Sequence, residues 1–372
     1  MRKARLIFAI LLALLGGAAC RRRTPPPQAA PVPVRFTLAA VGDLLLHQDV
    51  QRAAETAGGF HPLWAPVAER LAQADLAFGN LEVPLAPRTG AASRPFVFNA
   101  PARLAPDLKT SGFQVLATAN NHAYDQGTAG MLETLDHLAQ SGLAAVGSGP
   151  SREAAEAPLL LERRGLRIAF FARTETLNQG GNGAPTGPWV ALLDLERTGA
   201  AITAVRPSVD LVVVSLHWGD EYALAPAPRQ MKAAEALVAA GADLILGHHP
   251  HVLQPLRWVE AGGRKGAVAF SLGNFISNQD RTYRPGQDEA ALGDNRDGAL
   301  LWATFRKGPG RSAALESVDL VPLWTLNNWP DRAAGRTPAR DIRVSPLDQV
   351  AEVNAIRRHR LETVLEGRWS LR

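Results

Sequence analysis

Ala242-Asp243-Leu244-Ile245-Leu246-Gly247-His248-His249-Pro250-His251-Val252 is the stretch on which the fold is decided. Its apolar first half reads as a short buried strand. Its second half places three of the chain's nine histidines within four positions, at the carboxyl end of that strand. Histidine is the commonest metal ligand. Pro250 fixes its own φ and biases His249 toward an extended conformation. Residues i and i+2 of an extended segment share a side, so His249 and His251 are expected to converge on one point. His248 can face either way and is not taken as a ligand.

The same pattern recurs along the chain. Apolar runs at 36–41, 75–78, 114–118, 144–146, 167–171, 211–215 and 267–271 read as further strands. Amphipathic helices lie between several of them, for example at 131–141 and 229–240. Short continuous apolar strands alternating with helices indicate an α/β architecture with buried sheets. A strand pair is expected at 299–305 and 314–321, and a helix at 357–365. The polar or glycine-rich segments 178–187 and 279–297 are expected to be mobile loops. No internal repeat is present.

Almost every predicted strand ends in polar residues. The first runs into Gly42-Asp43, with His47 close behind, and the second into Gly79-Asn80-Leu81-Glu82. The third runs into Asn120-Asn121-His122 with Asp125 and Gly127. Later strands end in His217-Trp218-Gly219, in the histidine cluster, and in Gly273-Asn274-Phe275. Ligands of α/β folds bind outside the carboxyl ends of the strands. Taken singly, Asp43 could cap a helix, Asn80, Asn121 and Asn274 could serve turns, and His217 could be a core histidine. Their joint placement points instead to one shared site for Asp43, Asn121, His122, His217, His249 and His251. His47 is left open, and His61, His137 and His359 stand outside the pattern. Trp218 either lines the site or caps the core. Carboxylate, amide and imidazole donors without a thiolate suit manganese, iron or zinc. Two such ions would clamp a phosphate and ionise a water, while a free histidine donates a proton to the leaving oxygen.

Composition sets the wider frame. With 372 residues, 46% hydrophobic and 20% charged, the chain has the makeup of a folded globular protein of one or two domains. Its formal charge is +5. Arg2, Lys3, Arg5, Arg21, Arg22 and Arg23 cluster at the N-terminus, so the body is near neutral. No basic stripe with interleaved aromatics is present, and nucleic acid is not an expected partner. Residues 1–20 read as an export signal: a basic start, the apolar run 6–15, then small residues before Cys20. Cys20 is the sole cysteine, so no intrachain disulfide can form. Its position resembles a bacterial lipoprotein cleavage site, which makes it the expected lipidation site and membrane anchor in the cell envelope. Residues 21–34 are a proline-rich, semi-rigid linker. The folded domain is expected at 35–330, with 331–372 as an arginine-rich C-terminal extension of the same domain.

These motifs, in this order, resemble the CapA family of capsule and poly-γ-glutamate synthesis, and the resemblance spans roughly 36–305. CapA proteins are in turn similar to calcineurin-like metallophosphoesterases. The resemblance implies an α/β two-sheet sandwich flanked by helices, binding one or two divalent ions. It implies that Asp43, Asn121, His217, His249 and His251 are metal ligands, that Glu82, with Asn80 nearby, stands in the place of the bridging carboxylate, and that His122 is the general acid. Arg94, in a basic-aromatic stretch, would meet an anionic group of the substrate or simply sit on an edge strand; its fork suits carboxylate or phosphate. Asn80, Trp218 and Asn274 are further candidates for substrate contact. Asp125 and Gly127 are expected to shape the loop after His122. Two positions depart from the phosphoesterase pattern: Leu45 stands where a histidine is usual, and Asn-Leu-Glu replaces a glycine-aspartate motif. The implied roles are metal-dependent hydrolysis or transfer on an anionic polymer or phosphoester, a non-catalytic accessory of a membrane synthase complex, or a periplasmic phosphoesterase unrelated to capsule.

Overall fold

The computed structural model describes residues 33–308 and 313–366. The expected export signal, Cys20 and nearly all of the linker lie outside the described residues. The first strand begins at Val34, one residue before the expected start of the folded domain. Among the described residues no helix is long and apolar enough to cross a membrane.

Two sheets carry the chain. The larger has eight strands, in the spatial order Ile342–Pro346, Ala313–Asn327, Asp297–Lys307, Val34–Leu44, Leu76–Leu81, Val115–Ala117 and Ala144–Val146, with Asn274–Ile276 paired beside Val34–Leu44. The last four in that order are parallel, and the C-terminal three join antiparallel. The smaller sheet has six strands, in the order Leu253–Ala261, Arg264–Leu272, Leu244–His248, Leu211–His217, Leu166–Thr174 and Leu159–Arg163. Its four inner strands are parallel and both edges are antiparallel.

Successive residues of a strand point to opposite faces, and here both faces of the inner strands are buried. Leu38, Ala40 and Phe78 of the larger sheet meet Ile168, Phe170, Val213 and Leu246 of the smaller in a core between them. Phe78 stacks on Phe170, with ring centroids 5.9 Å apart and planes 11° from parallel. Their neighbours face outward. Ala39, Val41, Ala77 and Leu116 pack against Val67, Leu71 and Leu108. Ala169, Phe171, Val212 and Val214 pack against Ala234, Leu237 and Val238. The result is a two-sheet α/β sandwich flanked by helices. Helix Pro228–Ala240 shows the local logic: Pro228 opens it, Gly241 at φ 128° closes it, and Ala233, Ala234, Leu237 and Val238 form its buried stripe.

The polar stretch 279–297 differs from the expected loop. It contains a 3-10 helix, Ala290–Arg296, whose Asp294, Asn295 and Arg296 are buried. Arg357, fully buried on helix Ala351–Val364, donates to Asp294 at 2.8 Å and to Asp297, and its guanidinium lies over the Trp324 ring. The C-terminal residues therefore clamp this segment, and Asn295 in turn donates to the carbonyl of His251 at 3.2 Å.

Candidate metal centre

Two glycines permit close backbone approaches at the site, Gly42 between the two sheets and Gly247 within the smaller one. A Cβ on Gly42 would stand 1.9 Å from the Gly273 carbonyl oxygen, and one on Gly247 would stand 1.9 Å from that of Phe270. Only glycine permits such an approach. Each immediately precedes a polar residue of the site. The Asp43 amide donates to Gly273 O at 3.0 Å, so the end of a strand in one sheet is fastened to the end of a strand in the other.

Around this junction Asp43, Asn80, Glu82, Asn121, His122, His217, His248 and His251 are all buried, and His249 is half-buried. Asn80 Nδ2 donates to Asp43 Oδ1 at 2.8 Å and lies 3.2 Å from His217 Nδ1. His217 Nε2 stands 2.9 Å from Asn121 Oδ1 and 3.3 Å from Glu82 Oε1. His251 Nδ1 lies 3.3 Å from Asp43 Oδ2 and 3.1 Å from Asn274 Oδ1, with its Nε2 3.8 Å from Glu82. The rings of His217 and His249 are 4.7 Å apart. Two sets of ligand-type atoms result, Asp43–Glu82–His217 and Glu82–His249–His251, each with its atoms within 4.8 Å of one another. Glu82 belongs to both.

The charges are strongly perturbed. Burial, then the charge of Asp43, pushes the Glu82 carboxyl up to about 8. Burial would also raise Asp43, but the imidazoles of His248 and His251 outweigh it and hold Asp43 well below the usual carboxylate range. Burial would lower His251, yet Glu82 and then Asp43 raise it to about 9. Burial, then His217 and His251, presses His249 down to about 3. Neither oxygen of Glu82 has a hydrogen-bond partner among the described residues, nor does His249 Nδ1. Buried polar atoms are normally paired, and oxygen and nitrogen donors left open around a shared carboxylate fit a divalent cation.

The sequence-predicted residues fall into place unevenly. Asp43, Glu82, Asn121, His217, His249 and His251 come together in one pocket. His249 and His251 converge, but by a route the sequence reading did not foresee: both have positive φ, 94° and 58°, so the loop kinks left-handed at each instead of running extended. Side-chain-bearing residues rarely take this conformation, and it persists where the surroundings impose it. Trp218 is corrected from a candidate substrate contact to a core residue. It points away from His217, lies fully buried in the helix-side core of the smaller sheet, and donates to Phe270 O at 2.9 Å. Asn80 and Asn274 are likewise engaged within the protein: Asn80 on Asp43 and His217, Asn274 on His251, Gln279 and Asn295. They orient donors and do not face an open surface. His248 belongs to neither set of atoms, although its Nδ1 lies 3.3 Å from Asp43. Leu45 is buried in the helix-side core of the larger sheet. His47 stands at the rim, its ring 5.0 Å from that of Phe98. Arg94 is exposed beside it.

The residue that sequence reasoning undervalued is Asp125. Its Oδ2 lies 2.8 Å from His122 Nδ1 and accepts the Phe98 amide at 2.6 Å, while the Phe98 and His122 rings meet at 4.6 Å. A carboxylate only accepts, so Nδ1 carries the proton and Nε2 is left free. The three-residue spacing from His122 was the available signal.

Fold and pocket together define an α/β two-sheet sandwich with ligand-type side chains gathered where the strand ends of the two sheets meet. The chain belongs to the bacterial capsule synthesis protein family PGA_cap, which it matches over residues 37–279. It is 32% identical over 275 residues to the PGA biosynthesis protein CapA of Bacillus subtilis, covering 73% of this chain and 68% of that protein. It is 30% identical over 256 residues to the capsule biosynthesis protein CapA of Bacillus anthracis, covering 67% of this chain and 61% of that one. Among solved structures, a 5'-nucleotidase precursor from Thermus thermophilus superposes with a TM-score of 0.46 and 17% identity, covering 78% of this chain and 54% of that one.

Proposed function

We propose that this protein is a metal-dependent hydrolase or transferase acting on an anionic polymer of the capsule or poly-γ-glutamate type. In this reading one or two manganese, iron or zinc ions are held by Asp43, Glu82, Asn121, His217, His249 and His251. The observation that carries it is Glu82, fully buried, without a hydrogen-bond partner among the described residues, and shared by two sets of ligand-type atoms. An uncompensated buried carboxylate is penalised by several kcal/mol, on the order of its desolvation, and a cation removes the penalty.

A divalent ion there supplies Lewis acidity toward a phosphoryl or acyl oxygen. The chain's own residues do the rest. Asp125 holds the Nδ1–H of His122, and in the imidazolium form of the ring Nε2 carries the second proton, which passes to the leaving oxygen and leaves the neutral imidazole still bound to Asp125. Asn274 and Asn80 fix the rings of His251 and His217. Phe98 covers one face of His122 and limits water there.

Leu45 favours a second reading, a non-catalytic accessory of a membrane synthase, because its buried side chain gives the pocket no donor. Metal analysis of the purified protein, with turnover on a generic phosphodiester and on a γ-glutamyl polymer, separates the readings. His122→Ala is expected to lower turnover about 10²–10⁴-fold with metal content unchanged. Stoichiometric metal without turnover on either substrate leaves the accessory role. Turnover confined to phosphodiesters points to a periplasmic phosphoesterase apart from capsule. The reading also places the protein in the cell envelope, held by a lipid on Cys20 with 21–34 as spacer.

A further inference from the structure

Beside the pocket lies an open cleft of about 850 Å³, walled by the start of helix Gln48–Ala57, the turn at 93–98 and the segment 278–282. It shares a wall with the candidate general acid, since Phe98 lines the cleft and packs on His122. Its charge is unbalanced. Arg52, Arg281 and Arg340 all approach one carboxylate, that of Asp49, at 3.7, 4.0 and 3.0 Å. Arg94, exposed on the opposite wall, has no acceptor for its guanidinium among the described residues. Asp280 is the other acid of the wall, and its Oδ2 is taken by the Asn295 amide at 2.8 Å. Three lining guanidiniums, with Arg340 bound to Asp49 beside them, against two lining carboxylates leave a local positive excess on a body that is otherwise near neutral.

The turn that carries Arg94 is built to project. Phe96 follows with φ 61° and 79% exposure, a combination that a bulky residue adopts only under constraint. Ser93 and Asn99 lock the base of the turn, and Gln51 ties it to the neighbouring helix. The cleft is at the upper end of the size range of small-ligand sites. A lone phosphate would fill a small part of it.

We propose that this cleft binds a second anionic group of an extended polyanion, several chain units from the group that enters the Glu82 pocket. This rests on that pocket being the reacting site. Arg94 and Arg52 grip the remote anion from opposite walls, Phe96 packs along the chain, and Asp49 holds the guanidiniums of Arg52, Arg281 and Arg340 in place until the ligand arrives. Carboxylates of a γ-glutamyl chain and phosphates of a polyphosphate share the required chemistry.

The test is binding of a γ-glutamyl hexamer, a γ-glutamyl dimer and a linear polyphosphate of matched charge to the metal-loaded full chain. Wild-type protein is expected to bind one of the two long polyanions at least tenfold more tightly than the dimer, and which one names the anion. Each exposed pair is worth up to about fivefold, so Arg52→Ala/Arg94→Ala is expected to lose about tenfold on the long ligand and little on the dimer. Raised salt should shrink the same difference. Affinity independent of chain length, or a double variant that binds the long ligand as the wild type does, overturns the proposal. Metal analysis of the same samples keeps the two readings apart: a wild type that takes up no metal sinks the pocket reading, while a metal-loaded wild type without length dependence sinks the cleft proposal alone.

Discussion

At the scale of single residues, the proposed chemistry turns on how Asp125 holds His122. The Asp125 amide donates back to the carbonyl of His122 at 3.0 Å, and that tight turn is what swings the carboxylate onto Nδ1. Asp125→Asn removes the negative charge while keeping the shape. It is expected to lower phosphodiester or polymer turnover about 10–100-fold, the usual effect of removing an orienting partner, with metal content unchanged. Equal turnover in wild type and variant would relegate Asp125 to loop structure. The pair illustrates what spacing conveys. The sequence shows a histidine and an aspartate three apart, but not whether the turn between them closes. At His249 and His251 the converse holds: convergence was legible, while the left-handed backbone that achieves it was not. A local rule about residues before proline yields there to packing around Asp43, which accepts the His249 amide at 3.2 Å.

At the scale of elements, helix Gly127–Gln140 does more than cover the larger sheet. Its buried Glu133 accepts from the amides of Arg88 and Thr89 at 3.0 and 2.8 Å, and also from the Thr89 hydroxyl, so the 88–89 loop is tied to the helix. Burial would raise this carboxyl, but the Thr89 hydroxyl and the groups of Arg88 outweigh it and hold it at about 2, against an ordinary 4.5. A folded-state value below the unfolded one means that the contribution is complete above about 4.5 and disappears as pH falls toward 2. Glu133→Gln is expected to destabilise the protein by about 1.5–3 kcal/mol at pH 7. The gap to wild type in urea unfolding should narrow as pH drops below about 4.5; a gap constant down to pH 3 would contradict the assignment. The inner strands were readable because both faces are buried and the run is continuously apolar. The edge strands Leu159–Arg163, Leu253–Ala261 and Ile342–Pro346 were not, because their exposed faces carry charges such as Glu162, Arg257 and Arg343 that break the run.

At the scale of the molecule, the site residues could be named from the sequence but not their distances, because the pocket joins ends of two separate sheets. The C-terminal clamp was invisible for a similar reason: Arg357 meets Asp294 and Asp297 across some sixty positions. The proposed envelope attachment is tested on the whole molecule. Metabolic palmitate labelling is expected in the full chain and absent in Cys20→Ser; a label that persists in the variant would remove the anchor from the proposal.

The Gly42–Gly273 contact has a mechanical corollary. Because Asp43 rides on one layer while His217, His249 and His251 ride on the other, the distance between layers is also the bite of the proposed chelate. The Phe78–Phe170 stack, buried in the core between the layers, is one of the contacts that hold that distance. A thinner side chain at either position would let the layers settle closer. Metal preference could then be retuned from the middle of the core, with every donor atom left untouched.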